Sequence, residues 1–262
     1  MMPQYVIQLA QVIDKGKPAL LTWMFEILWN ARASTNPAEL DPSSNFFKFI
    51  LGNQHEAKSQ LFQDLLVLFV LKGKRNGYFI EFGATNGVTL SNTYLLEKVY
   101  GWSGILAEPA RCWKDDLKKN RNCTIDYRCV WSETGKSIEF NETADANLST
   151  TTEYLVRDLH ASSRVGGKKY NVDTVSLNDL ARSHNAPVEI DYLSLDTEGS
   201  ELRILKNFDF QKHNIKLITV EHNFASPDRE DIFALLISKG YVRIFQYFSA
   251  WDDWYVHRSV LR

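Results

Sequence analysis

From Ser59 onward, short apolar runs that stop at glycine or at an acid alternate with longer amphipathic runs, and few folds tolerate that alternation. The spacing predicts a helix over residues 60–71, a strand over 78–82, a helix over 91–100, a strand over 104–107, a helix over 110–119 and a strand over 124–130. Beyond a polar stretch it predicts a helix over 177–183, a strand over 190–195, a helix over 200–206, a strand over 215–220 and a helix over 228–239. Strands over 241–245 and 254–257 close the chain. Strands separated by helices at this spacing imply a parallel sheet covered on both faces. The last two have no helix between them, and a short link cannot make a parallel crossover, so an antiparallel C-terminal edge is expected.

Before this α/β region, the apolar residues of 5–33 recur at mixed helical spacing, and Asn36-Pro37 and Asp41-Pro42 read as loop punctuation. The expected organisation is an N-terminal helical extension over 1–58 and one domain over 59–262. The extension could cover its own core, pair two subunits as a homodimer or touch a membrane surface peripherally. No run approaches the ~20 apolar residues of a transmembrane helix. The first residues lack the pattern of an export signal, and Cys112, Cys123 and Cys129 make neither a disulfide framework nor a paired metal site. A cytoplasmic setting is the expectation. With 30 Lys plus Arg against 32 Asp plus Glu and no basic block, nucleic acid is a poor partner. Residues 141–171 are irregular and rich in Asn, Ser and Thr, as in a lid or binding loop.

Two signals point to a nucleoside-type ligand. Glu81-Phe82-Gly83-Ala84-Thr85-Asn86-Gly87 follows an apolar strand and precedes a helix, so glycines stand where backbone approaches a ligand. The spacing is neither the G-x-G-x-x-G dinucleotide fingerprint nor a phosphate loop. Glu108 ends the next strand, where a carboxylate in a parallel α/β fold can accept both hydroxyls of an adenosine ribose.

Together with Ser59-Gln60-Leu61-Phe62-Gln63-Asp64, Gly101-Trp102, Glu108-Pro109 and Asp191-Tyr192-Leu193-Ser194-Leu195-Asp196-Thr197-Glu198-Gly199-Ser200-Glu201, these residues resemble the FkbM family of methyltransferases over Ser59 to the C-terminus. The resemblance implies a class I, Rossmann-like methyltransferase fold, S-adenosylmethionine as methyl donor, and O-methylation, often of sugar hydroxyls in bacterial glycans or natural products. It implies that Glu81, Gly83, Ala84, Asn86 and Gly87 form the loop at the donor's methionine end, and that Glu108 holds the ribose. Ser91, Asn92 and Thr93 would cap the nearby helix, and Cys129 and Val130 would lie by the adenine. Asn86 stands where the family loop carries an acid.

The third signal concerns catalysis. Asp196 and Glu198 end one strand and Glu221-His222-Asn223 the next, so these groups could converge over the donor's methyl. Asp196, Glu221 and His222 would suit Mg2+ or Mn2+ or the substrate, an arrangement similar to that of metal-dependent O-methyltransferases. Glu198 or His222 would act as general base. The ring-and-acid run from Phe245 to Tyr255 would suit either a sugar or a packed hairpin. Metal-independent N- or C-methylation of a small metabolite, or a non-catalytic assembly role for the donor fold, are the competing functions.

Overall fold

The computed structural model describes residues 42–155 and 161–261. The chain divides into two units, Met1–His55 and Glu56–Arg262. Of the first, the described part is one helix, α1 (Pro42–Asn53). The Asp41-Pro42 pair was expected in a loop, yet Pro42 opens a helix, where its locked φ is already helical and its missing N–H is not needed. The helices expected over 5–33, and the subunit and membrane contacts read from them, lie outside the described residues. Among the described residues, no helix is long and apolar enough to cross a membrane.

The second unit runs α2 (Gln63–Val70), β1 (Tyr78–Phe82), α3 (Tyr94–Lys98), β2 (Ser103–Ala107), α4 (Lys114–Asn120), β3 (Thr124–Asp126), β4 (Cys129–Trp131), β5 (Ser137–Glu142), β6 (Thr150–Thr151), β7 (Lys168–Ser176), α5 (Leu177–Ser183), β8 (Glu189–Leu195), α6 (Glu201–Lys206), β9 (Asn214–Glu221), α7 (Asp228–Ser238), β10 (Tyr241–Ile244) and β11 (Asp252–His257). Seven strands form the main sheet in the order β10-β11-β9-β8-β1-β2-β3. β11 alone runs opposite to the other six strands, inserted between β9 and the edge strand β10. This is a Rossmann-like α/β fold with a mostly parallel sheet.

The central strands are buried without alternation because helices cover both faces: β1 and β8 bury every residue after their first. Ile80, Phe82, Leu193, Ile218 and Val220 share one core with Leu236 of α7. Local chemistry sets some boundaries as well. The Ser176 hydroxyl caps α5 by accepting from the Asp179 N–H at 3.1 Å. At the amino ends of the strands, Asp191 is buried between Lys74 (2.6 Å) and Lys216 (2.8 Å), which pins β8 at the edge away from the glycine loop.

One element departs from expectation in a way that bears on function. The strand expected over 124–130 breaks in two: β3 pairs with β2, whereas β4 leaves the main sheet and pairs with β7. With β5, β6 and β7 it forms a four-stranded sheet, so part of the stretch expected to be irregular, 141–171, is strand. The alternation of polar side chains along β5 and β7 hid these strands, because one face packs on a small cluster of Trp131, Phe140 and Tyr154 while the other stays wet.

Candidate active site

The chain builds β1, β2 and β3 outward in one direction and then returns to place β8 and β9 on the other side of β1. The connections leaving β1 and β8 therefore part at their carboxyl ends, and a crevice opens there. A cavity of about 370 Å³ occupies it, lined by Glu81, Gly83, Glu108, Asp196 and Glu221 from the ends of β1, β2, β8 and β9.

The loop after β1 is folded by a buried ion network. One oxygen of Glu81 accepts from the Asn92 N–H at 2.7 Å, and the other from the hydroxyls of Ser91 (3.1 Å) and Thr93. Arg121, 3.6 Å from Glu81, donates to the Gly87 carbonyl (3.1 Å), Ser91 (3.0 Å), Thr93 (2.8 Å) and Glu97 (2.6 Å). A Cβ at Gly87 would stand 2.7 Å from the Arg121 side chain, so glycine here makes room for that cation. Asn86 closes the turn through its Oδ1, which accepts from Val88 (2.9 Å) and Thr89 (2.8 Å) N–H. Gly83 has φ +73, and a Cβ there would collide with the Asp196 carbonyl oxygen. The glycine loop and the Asp196 loop touch for that reason.

These contacts sort the donor-binding residues expected from the sequence. Glu81, Gly83, Asn92, Glu108, Cys129, Val130 and Asp196 line the cavity. Ala84, Asn86, Gly87, Ser91 and Thr93 do not: Ala84 is packed in the core, and the others spend their polar groups or their space on the loop itself. Theirs is a shaping role in this loop.

Glu108 is buried, with one oxygen accepting from the Thr85 N–H (3.0 Å) and the other from the Ala110 N–H (2.8 Å). Burial pushes its carboxyl up to about 7; the two N–H groups oppose that rise, and Glu142 and Glu81 add to it. Each oxygen keeps a lone pair for a further donor. Two buried polar atoms of cavity-lining residues, Asn92 Oδ1 and Thr151 Oγ1, have no protein partner. Groups of this kind cost stability unless something pairs with them.

The acids converge as expected from the strand order. Ligand-type oxygens of Asp196, Glu198 and Glu221 lie within 4.8 Å of one another. Asp196 and Glu221 lie close enough that the charge on each bears on the titration of the other. Burial, together with Asp196, Glu198 and Asp252, holds Glu221 well above the usual carboxylate range. Burial pushes Asp196 up to about 7, with Asp252, Glu201 and Glu81 adding to the rise. Two carboxyls this close disfavour each other's ionisation, and both are raised above the usual carboxylate range. Glu198 is tied instead to Arg164 at 2.6 Å, an ion pair buried at both ends.

His222 does not join them. Successive residues at a strand end point to opposite faces, so Glu221 faces the cavity and His222 turns away. Its Nδ1 accepts from the Phe224 N–H at 3.0 Å, and its Nε2 lies 3.7 Å from Asp253, beside a second cavity of about 30 Å³. Burial lowers its pKa and keeps it neutral. His222, expected as metal ligand or general base beside Asp196, thus lies apart from the close cluster, which Asp196, Glu198 and Glu221 form.

Sequence reasoning missed the rest of the wall. Leu148 and Ser149 reach the cavity from the turn before β6 and Thr151 from β6 itself, while Phe224 comes from the loop after β9, Trp251 from the loop before β11 and Asp252 from the first position of β11. The polar composition of 141–171 was a signal for the first group, and the ring-and-acid run near the C-terminus for Trp251 and Asp252. Phe224 carried none.

Residues 81–247 match the family described as the methyltransferase FkbM domain. No curated protein matches the chain in sequence. Among solved structures, a chain of the fibrillarin/Nop5p complex is 11% identical, over 76% of this chain and 81% of that one, with a TM-score of 0.39. The CurJ carbon methyltransferase is 10% identical, over 98% of this chain and 71% of that one, with a TM-score of 0.37.

Proposed function

Since the chain belongs to the FkbM methyltransferase family, we propose that it methylates a hydroxyl oxygen, that of a sugar in a glycan or glycosylated small molecule, with the Asp196–Glu221 pair taking the proton. The observation that carries this reading is the closeness of the Asp196 and Glu221 carboxyls in the cavity that Glu108 also lines.

The residues present fit S-adenosylmethionine. Glu108 has a lone pair free on each oxygen for the two ribose hydroxyls, Gly83 leaves the loop bare of a side chain, and Asn92 Oδ1 is an acceptor without a partner. When bound, the donor supplies a methyl group on a positively charged sulfur, already a good electrophile. The protein has two tasks left. It must place the acceptor oxygen in line, which can supply ~7–11 kcal/mol of the barrier, and it must take one proton. Asp196 would accept the proton of a hydroxyl placed beside it, as that oxygen takes the methyl group and the donor's sulfur leaves neutral, with Glu221 close by to share the charge. A carboxyl poised near neutral pH suits that task. Trp251 and Phe224 flank the acids and offer apolar faces of the kind a pyranose stacks on.

The closeness of Asp196, Glu198 and Glu221 favours a second reading, in which Mg2+ or Mn2+ binds there and activates the hydroxyl. A cation would then share Glu198 with Arg164. The test for both is methyl transfer from labelled donor to a panel of glycosides and small amines, with and without EDTA. Transfer to hydroxyls that survives chelation supports the carboxyl pair alone. Loss on chelation with rescue by Mn2+ supports the cation, and transfer to amines only would overturn O-methylation. A cytoplasmic setting is proposed with this chemistry, in keeping with three free cysteines.

A further inference from the structure

Arg164 sits in a 3-10 turn, Ala161–Arg164, that the sequence marked only as part of an irregular loop, yet it is 2% exposed. Burying a guanidinium is costly unless its donors are used, and here they are. Nη2 donates to Glu198 at 2.6 Å, Nε to the Leu148 carbonyl at 3.0 Å and Nη1 to the Tyr154 carbonyl at 3.3 Å. The Arg164 carbonyl in turn accepts from Asn141 at 3.0 Å. Two structures meet at this side chain. One is the cavity wall of Asn147, Leu148, Ser149 and Thr151. Its own strand, β6, has only two residues, so backbone pairing alone holds it weakly. The other is the acid loop, in which Glu198 adopts φ +59, a left-handed conformation that a non-glycine residue holds only when its surroundings insist.

The tie continues to the acid pair. Asn223 Nδ2 donates to Glu198 at 3.3 Å and to Glu221 at 2.8 Å, while the Thr150 hydroxyl donates to the Glu198 carbonyl at 3.0 Å. From these contacts we infer that Arg164 is a positioning residue, which fastens the wall of the donor cavity to the Glu198 loop and thereby sets both donor binding and the placement of Glu221. It acts through Glu198 and Asn223 and touches neither the cavity nor the reacting atoms. The inference rests on the donor-binding reading above for its affinity readout and stands apart from it in its dynamic one.

The experiment compares wild type, Arg164→Lys, Arg164→Met and the double variant Arg164→Met/Glu198→Gln. Binding of S-adenosylhomocysteine is measured by calorimetry, amide exchange over residues 147–151 by mass spectrometry, and Tm by scanning calorimetry. Arg164→Met strands the Glu198 charge and lowers Tm steeply. The double variant removes that charge and recovers most of the Tm. The expected result is that the double variant still binds at least tenfold more weakly than wild type and exchanges its 147–151 amides faster. Lysine, which keeps the charge but cannot reach both carbonyls at once, should fall between. Affinity within twofold of wild type in the double variant, or unchanged exchange, overturns the inference. If wild type itself does not bind the ligand, the donor-binding reading fails, and the exchange rates alone decide the role of Arg164.

Discussion

Donor affinity should depend on pH through Glu108, and the size of the effect follows from its surroundings. The carboxyl is buried and held at about 7 in the free protein. Two ribose hydroxyls can donate to it together only when both oxygens are unprotonated, so the donor selects the ionised form. The sign follows. Affinity is full above the free-protein pKa and is lost as pH falls through it. With a pKa of about 7, the competing protonated fraction weakens binding about tenfold between pH 8 and pH 6, roughly 1.4 kcal/mol. The same linkage runs through stability. A carboxyl raised on folding contributes stability that is complete below its ordinary value of 4.5 and is lost as pH rises through about 7, so bound ligand should raise Tm more at pH 8 than at pH 6. Calorimetric titration with S-adenosylhomocysteine, which cannot react, measures the affinity at each pH. Glu108→Gln keeps the size of the side chain but cannot accept on both sides or titrate. It should bind more weakly at pH 8, with a flat profile between pH 8 and pH 6. A wild-type profile already flat over that range, or a slope that survives in Glu108→Gln, would refute the reasoning.

Other expectations are briefer. Asp196→Asn and Glu221→Gln should each lower turnover by roughly 10²-fold or more, the usual worth of a positioned proton acceptor, while S-adenosylhomocysteine affinity changes by less than about threefold; equal losses in binding and turnover would place these acids at the donor instead. Gly83→Ala should cost at least ~1–2 kcal/mol from its left-handed φ alone, more from the clash with the Asp196 carbonyl, and remove ligand binding; a Tm within a degree or two of wild type would contradict this contact. Trp254→Ala, in a fully buried position of β11, should cost about 3–5 kcal/mol in urea unfolding, because β11 joins β10 to the rest of the sheet.

Much of the architecture is written locally. Helix and strand differ in hydrophobic period, and the strands of the main sheet are apolar enough to stand out, so α5 begins and ends where the sequence alone predicts, and β8, β9 and α7 do so within a residue or two. The acids at strand ends were legible for the same reason: parallel strand order carries Glu81, Glu108, Asp196 and Glu221 to one edge without any knowledge of packing.

Tertiary structure decided which of these groups face one another and which are already spent. Glu81 and Glu108 look alike in sequence, yet Arg121, Ser91 and Thr93 take up the first, while the second keeps a lone pair on each oxygen. Glu221 and His222 are adjacent in the chain and point to opposite faces, because the pleat of a strand separates neighbours that a motif joins. Arg164 was invisible for a related reason. An arginine in a polar loop has no period or spacing to mark it, and its partners Leu148, Tyr154 and Glu198 come together only when the second sheet folds against the ends of the first. Periodicity reports which face of an element is buried; pairing between distant residues is set by the packing of those elements, and that information is not local.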